Sequence, residues 1–154
     1  WLDMKEAEAV TTTRQIQKAA LDRAEELGRN IKIVMGMPAQ DIYDSVAAYK
    51  QNNPQDSDFP TLCELTPEMA WDAKADAWGP RWTMGSQADV VKQMHDVNNP
   101  AKKYIDCLVW TIDVPRYIEQ YIEQGRTNPE IRFDGLLTNY PTIVAYYYYL
   151  RYND

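Results

Sequence analysis

Asp3 and Lys5 stand two residues apart in the opening run WLDMK, a spacing that puts both side chains on one face of an extended strand. Aspartate is disfavoured inside strands and inward charges are costly, so the pair asks for a use. At the C-terminal end of a strand in a closed parallel sheet, a carboxylate suits a divalent cation and a neighbouring lysine suits a phosphate. The plain alternative is a half-exposed ion pair at a frayed end. Trp110, in LVWTID, closes the clearest strand-like run of the chain. An indole there can face a quaternary ammonium by cation–π attraction, worth roughly 0.5–2 kcal/mol. Asp113 can orient a group in such a site or cap the helix that Pro115 opens, and its spacing favours the cap. Asn139, in TNYP, carries the same two options before Pro141, and Arg81 can hold an anion or lie at the surface.

His95 is the sole histidine, set in a helical pattern between Met94 and Asp96 and away from any strand end. It reads as a surface residue, and neither a histidine pair for acid–base hydrolysis nor a Ser–His–Asp or Cys–His set can be assembled around it. Cys63 and Cys107 are too few for a disulfide scaffold and lack zinc-ligand spacing.

These residues need elements to hold them. Residues 1–5 read as a strand followed by a long helix that Gly28 closes. Residues 31–35 form a second strand, 39–51 a second helix, and the polar run 51–60 a surface connection. Thr66 and Pro67 open another helix, 77–83 is a strand weakened by Gly79 and Pro80, and Ser86 caps a helix with Val90, Val91, Met94 and Val97 as its apolar stripe. A strand over 104–112, a helix from Pro115 ended by Gly125, a strand over 133–138 and a helix from Pro141 complete the order. Tyr146, Tyr147, Tyr148 and Tyr149 ring one turn of that last helix, so at least one meets solvent or a lipid surface.

Five strands separated by helices demand a parallel sheet, hence an α/β class. No Gly-rich turn follows the first strand, which disfavours a doubly wound nucleotide fold and leaves a (β/α)8 TIM barrel. Such barrels take about 250 residues. The 154 residues of this chain therefore read as the C-terminal portion of one barrel domain, its last five strand–helix modules, with an N-terminal part needed to complete it. The start at Trp1, without Met or a signal segment, agrees with that expectation. Lys and Arg number 16 against 23 Asp and Glu, and a net charge of −7 with a pI near 4.7 argues against a nucleic-acid partner. No apolar run reaches the roughly 18–20 residues of a transmembrane helix.

The segments WLDMK, IKIVMGMP with QDIYDSVAAYK, FPTL, LVWTID and FDGLLTNYP resemble, in order and spacing, the latter part of the sphingomyelinase D and phospholipase D toxins. These belong to the barrel phosphodiesterases that include glycerophosphodiester phosphodiesterases. Asn139 and Asp3, where glycerophosphodiesterases tend to carry Asp and Glu, favour the sphingomyelinase D side. The resemblance implies Mg2+ held by Asp3, phosphate stabilised by Lys5, a catalytic or orienting role for Asp113, and a substrate pocket lined by Trp110 and Asn139. It also implies a secreted enzyme that releases choline from a sphingolipid or lysophospholipid at a membrane surface, leaving a linear or cyclic phosphate. The chain departs from the family at Leu108, where a Tyr is usual, and in AWGPRWTMG, which leaves Arg81 unassigned. The family's two catalytic histidines and remaining metal carboxylates lie on strands that precede this sequence. Two alternatives stand beside this expectation: a glycerophosphodiester phosphodiesterase, and a non-catalytic fragment or degenerate relative that keeps only the scaffold.

Overall fold

A computed structural model describes residues 1–152, which alternate short strands with helices in a mixed α/β arrangement. The chain divides into two compact units, Trp1 to Ala77 and from Trp78 onward.

In the first unit β1 (Leu2–Asp3), β2 (Met35–Met37) and β3 (Thr61–Cys63) lie side by side in chain order, all parallel, with Leu2 opposite Met35 and Met35 opposite Thr61. All six residues of β2 and β3 are buried, as in parallel strands covered on both faces. Helices α1 (Val10–Glu26), α2 (Gln40–Asn52) and α3 (Pro67–Asp72) connect or follow these strands. Val10 and Ala24 of α1 and Ile42 and Val46 of α2 are buried. Gln17, fully buried in α1, donates from Nε2 to the carbonyls of Ile33 and Pro60, at 2.6 and 3.0 Å, and so ties the approaches of β2 and β3 to the helix. Arg14 closes the same face by forking onto Asp56, while Phe59 takes the Arg14 and Lys50 cations on its ring.

Several expected boundaries shift here. Residues 31–34 approach β2 without pairing in it, since the ladder with β3 starts only at Met35. The run after the polar connection holds β3, a sixth strand for the chain that its three-residue length hid among prolines and charges. Thr66 caps α3 as expected, its Oγ1 accepting from Met69 N–H at 3.3 Å, and Gly28 adopts φ +64° just past α1.

The second unit contains α4 (Ala88–His95), β5 (Asp106–Val109), α5 (Pro115–Thr127), β6 (Gly135–Leu136) and α6 (Pro141–Tyr152). β5 and β6 are parallel neighbours, with Leu108 opposite Gly135, and a parallel bridge joins Arg81 to Trp110. The core gathers Val91, Met94, Ile105, Cys107, Val109, Ile112 and Ile118. β4 spans only Ala77–Trp78, because Gly79 and Pro80 end it as their chemistry suggested. Gln87 at φ +47°, and not Ser86, precedes α4, with no side-chain cap, and Val97 is exposed beyond that helix. Gly125 does not end α5. It lies buried inside the helix, where an added Cβ would come within 2.6 Å of Arg132 Cγ, so glycine serves close packing. On α6, Tyr146, Tyr148 and Tyr149 are exposed.

Candidate functional site

In the first unit, Asp3 ends β1 and Lys5 follows two residues later, with Met4 buried between them. The alternation brings the two charges together, Lys5 Nζ to Asp3 Oδ2 at 2.5 Å, but both side chains are solvent-exposed, 44% for Asp3 and 76% for Lys5. The expectation that they point into a packed interior is thus corrected, because strand pairing stops at Asp3 and leaves the end of β1 open to water. Asp3 raises the affinity of Lys5 for its proton, through their hydrogen bond first, and the nearby Glu64 charge adds to it.

Glu64 is the residue that sequence reasoning passed over. It follows β3 directly, so it stands at the C-terminal ends of the parallel strands, as Asp3 does. A Cβ built on Gly36, in the middle of β2, would lie 3.2 Å from Glu64 Oε1, 3.3 Å from the Leu2 carbonyl and 3.4 Å from Trp1 Nε1. The missing side chain at Gly36 is the space across which the Glu64 carboxylate leans toward the end of β1. An acidic residue at the end of a parallel strand is a readable signal, but β3 itself was not recognised. Asp3 and Glu64 are hard oxygen donors, and Mg2+ is commonly held by one or two carboxylates with waters completing its shell, so the donor set fits that ion.

In the second unit, Trp110 lies one residue past β5, and its Nε1 donates to the Gly79 carbonyl at 2.6 Å. The Arg81 guanidinium sits over the Trp110 ring, 4.9 Å from its centroid. Arg81 is therefore no isolated surface residue, and one indole face already carries a cation. Asp113 does not cap α5, whose N-cap is Val114 without a side-chain cap. Its carboxylate instead accepts from the Asn139 backbone N–H at 2.9 Å, from Asn139 Nδ2 at 2.7 Å and from Thr138 Oγ1 at 3.1 Å. The Asn139 backbone N–H, then its amide, then Thr138 hold Asp113 below the usual carboxylate range against the opposing effect of burial. The loops that follow β5 and β6 thus fix an ionised carboxylate at the C-terminal ends of both strands. Val114, Leu137 and Tyr140, next along the chain, expose apolar groups there.

His95 is expected at the surface but is only partly exposed. It ends α4 with its side chain only 13% exposed and bonds Asp134 at 3.0 Å. Cys63 and Cys107 are both buried free thiols.

Each unit therefore pairs parallel strands that neighbour one another in chain order with charged groups at their C-terminal ends, in a mixed α/β arrangement. No family model and no curated protein matches this chain.

Proposed function

We propose that the chain is the C-terminal portion of a secreted, Mg2+-dependent phosphodiesterase of phospholipase D type, built on a (β/α)8 barrel and cleaving choline-bearing sphingolipids or lysophospholipids. The observation that carries this reading is the Asp3–Lys5 pair at the end of β1, with the Glu64 carboxylate at the same end of the unit. Sequential pairing of β1, β2 and β3 supports the barrel, because a doubly wound sheet reverses its strand order near the site.

In this reading Asp3 and Glu64 hold the ion, which when bound neutralises charge developing on the phosphate. Lys5, kept protonated by its neighbours, stabilises a phosphate oxygen. For the second unit by itself, the same reading keeps Asp113 ionised and gives it and Asn139 a head-group-orienting role, with Trp110 as an aromatic wall. The exposed Val114, Leu137 and Tyr140 suit contact with a lipid surface. Proton transfer to and from the leaving group requires acid–base groups other than His95, which is engaged with Asp134.

The test is choline release from sphingomyelin and lysophosphatidylcholine by the natural polypeptide. Activity is expected to vanish with chelator, to return with Mg2+, and to fall about 100-fold or more in Asp3→Ala and Lys5→Ala. Turnover indifferent to chelator and to Asp3→Ala overturns the reading. Glycerophosphodiester hydrolysis is the second reading, favoured by Arg81: a cation on the Trp110 ring competes with an ammonium for that face. Comparing turnover of glycerophosphodiesters with and without choline separates the two.

A further inference from the structure

A second cluster occupies the opposite, N-terminal end of the β5–β6 pair, in the second unit. Four elements converge there: His95 from the end of α4, Tyr104 from the loop after it, Cys107 from β5, and Asp134 from the residue before β6. Asp134 is the hub. Its Oδ2 contacts His95 Nε2 at 3.0 Å and accepts the Cys107 backbone N–H at 2.7 Å, and its Oδ1 accepts the Tyr104 hydroxyl at 2.9 Å. The His95 and Tyr104 rings stack in parallel, centroids 4.6 Å apart, which fixes the imidazole plane.

A His–Asp hydrogen bond would explain two of these residues. The third donor is the Cys107 thiol, fully buried beneath them, with a weak 3.7 Å contact to the Ile105 carbonyl. Imidazole nitrogen, thiol sulfur and carboxylate oxygen all lie within 4.8 Å of one another, the one such His/Cys/Asp grouping among the described residues. An open cleft of about 570 Å³ borders it, with His95, Asp96 and Glu130 on its walls.

We propose that His95, Cys107 and Asp134 form a binding site for a zinc-class divalent cation, with Nε2, Sγ and one carboxylate oxygen as ligands and a water from the cleft as the fourth. The donor set selects the ion: imidazole with thiolate suits Zn2+ or Co2+, whereas Mg2+ demands oxygen. Tetrahedral bonds of about 2.0–2.2 Å place nitrogen and oxygen roughly 3.4 Å apart, so the ion replaces the proton shared by His95 and Asp134 with a widening of a few tenths of an ångström. The thiol proton and the proton displaced from between His95 and Asp134 leave to water as sulfur and nitrogen coordinate, with Nδ1 carrying the N–H of the imidazole ligand. Tyr104 and the Cys107 N–H already orient the carboxylate, as outer partners of metal ligands do. The bound ion fastens α4, β5 and the start of β6 together, a role independent of any phosphodiesterase activity.

Titrating the chelator-stripped natural polypeptide with Co2+ alone, followed by absorbance, tests the site. One Co2+ is expected to produce a thiolate-to-metal charge-transfer band with the visible bands of tetrahedral cobalt; Zn2+ abolishes them and Mg2+ does not. Cys107→Ala removes the charge-transfer band, and His95→Gln, at the partly exposed rim, weakens Co2+ binding at least about tenfold with the fold intact by circular dichroism. A wild-type protein without that band, or a band that survives Cys107→Ala, overturns the proposal.

Discussion

The carboxylate of Asp113 collects three hydrogen bonds from two residues of the following strand end, and the strongest influence on its proton is the Asn139 backbone N–H, which every substitution but proline leaves in place. Asn139→Leu deletes only the amide. The Asp113 pKa is therefore expected to rise in that variant yet stay below the ordinary value of 3.8, which carboxyl NMR titration reads directly. Because the folded pKa lies below the unfolded one, the stability Asp113 contributes is present above the ordinary carboxylate range and is lost as pH falls through the folded value. Asn139→Leu shrinks that contribution without reversing its sign. A titration curve unmoved by the substitution would show that the amide does not touch the ionised form. The same variant should lower choline release while leaving the fold intact, since Asn139 is exposed.

At the scale of elements, α1 is joined to the β2 and β3 approaches by one side chain. Gln17 serves two carbonyls and its Oε1 accepts from Arg14 Nη1 at 3.1 Å; Pro60 O also accepts from Met35 N–H at 3.0 Å, so Ile33 O and that Arg14 N–H lose their partner when the amide goes. Gln17→Leu is expected to destabilise by about 1–3 kcal/mol, chiefly the cost of the orphaned Ile33 carbonyl since Arg14 keeps its fork onto Asp56, and a urea melt measures it. An unchanged midpoint would mean that water replaces the amide. What could be read from the chain at this scale follows from how local each signal is. Thr66–Pro67 and Gly28 act through their own turns and were legible. β3 owes its existence to pairing with Met35–Met37, a contact 26 residues distant that no short window contains. Gly125 looks like a helix stop, yet its reason is Arg132 pressing on the helix from outside. The site divides in the same way. The Asp3–Lys5 contact follows from alternation along one strand, whereas Glu64 depended on the unrecognised β3, and Asp113 took Asn139 over its own helix because the second strand end lies beside it.

For the molecule as a whole, acid sets two effects against each other. The chain carries −7 at neutral pH, so protonation toward the pI near 4.7 relieves mutual repulsion and by itself favours the compact state. Against that, the Arg14 fork and the Tyr49 hydroxyl hold Asp56 below its ordinary value of 3.8, and Arg126 holds Glu123 below 4.5. Each such carboxylate stabilises the fold above its unfolded pKa and ceases to do so as pH falls through its folded one. The repulsion is spread over the surface and screened within about 8 Å at physiological salt, while these bonds are made at contact. The local bonds therefore win: urea midpoints are expected to be flat between pH 7 and about 5 and to fall below about 4, with no maximum at the pI. Arg14→Met removes the principal cause of the Asp56 depression, so its midpoint should be lower at pH 7 and its acid limb shallower than the wild type's. Parallel acid limbs would mean that the Arg14–Asp56 fork contributes nothing to acid sensitivity, and that general charge, tunable by salt, governs it instead.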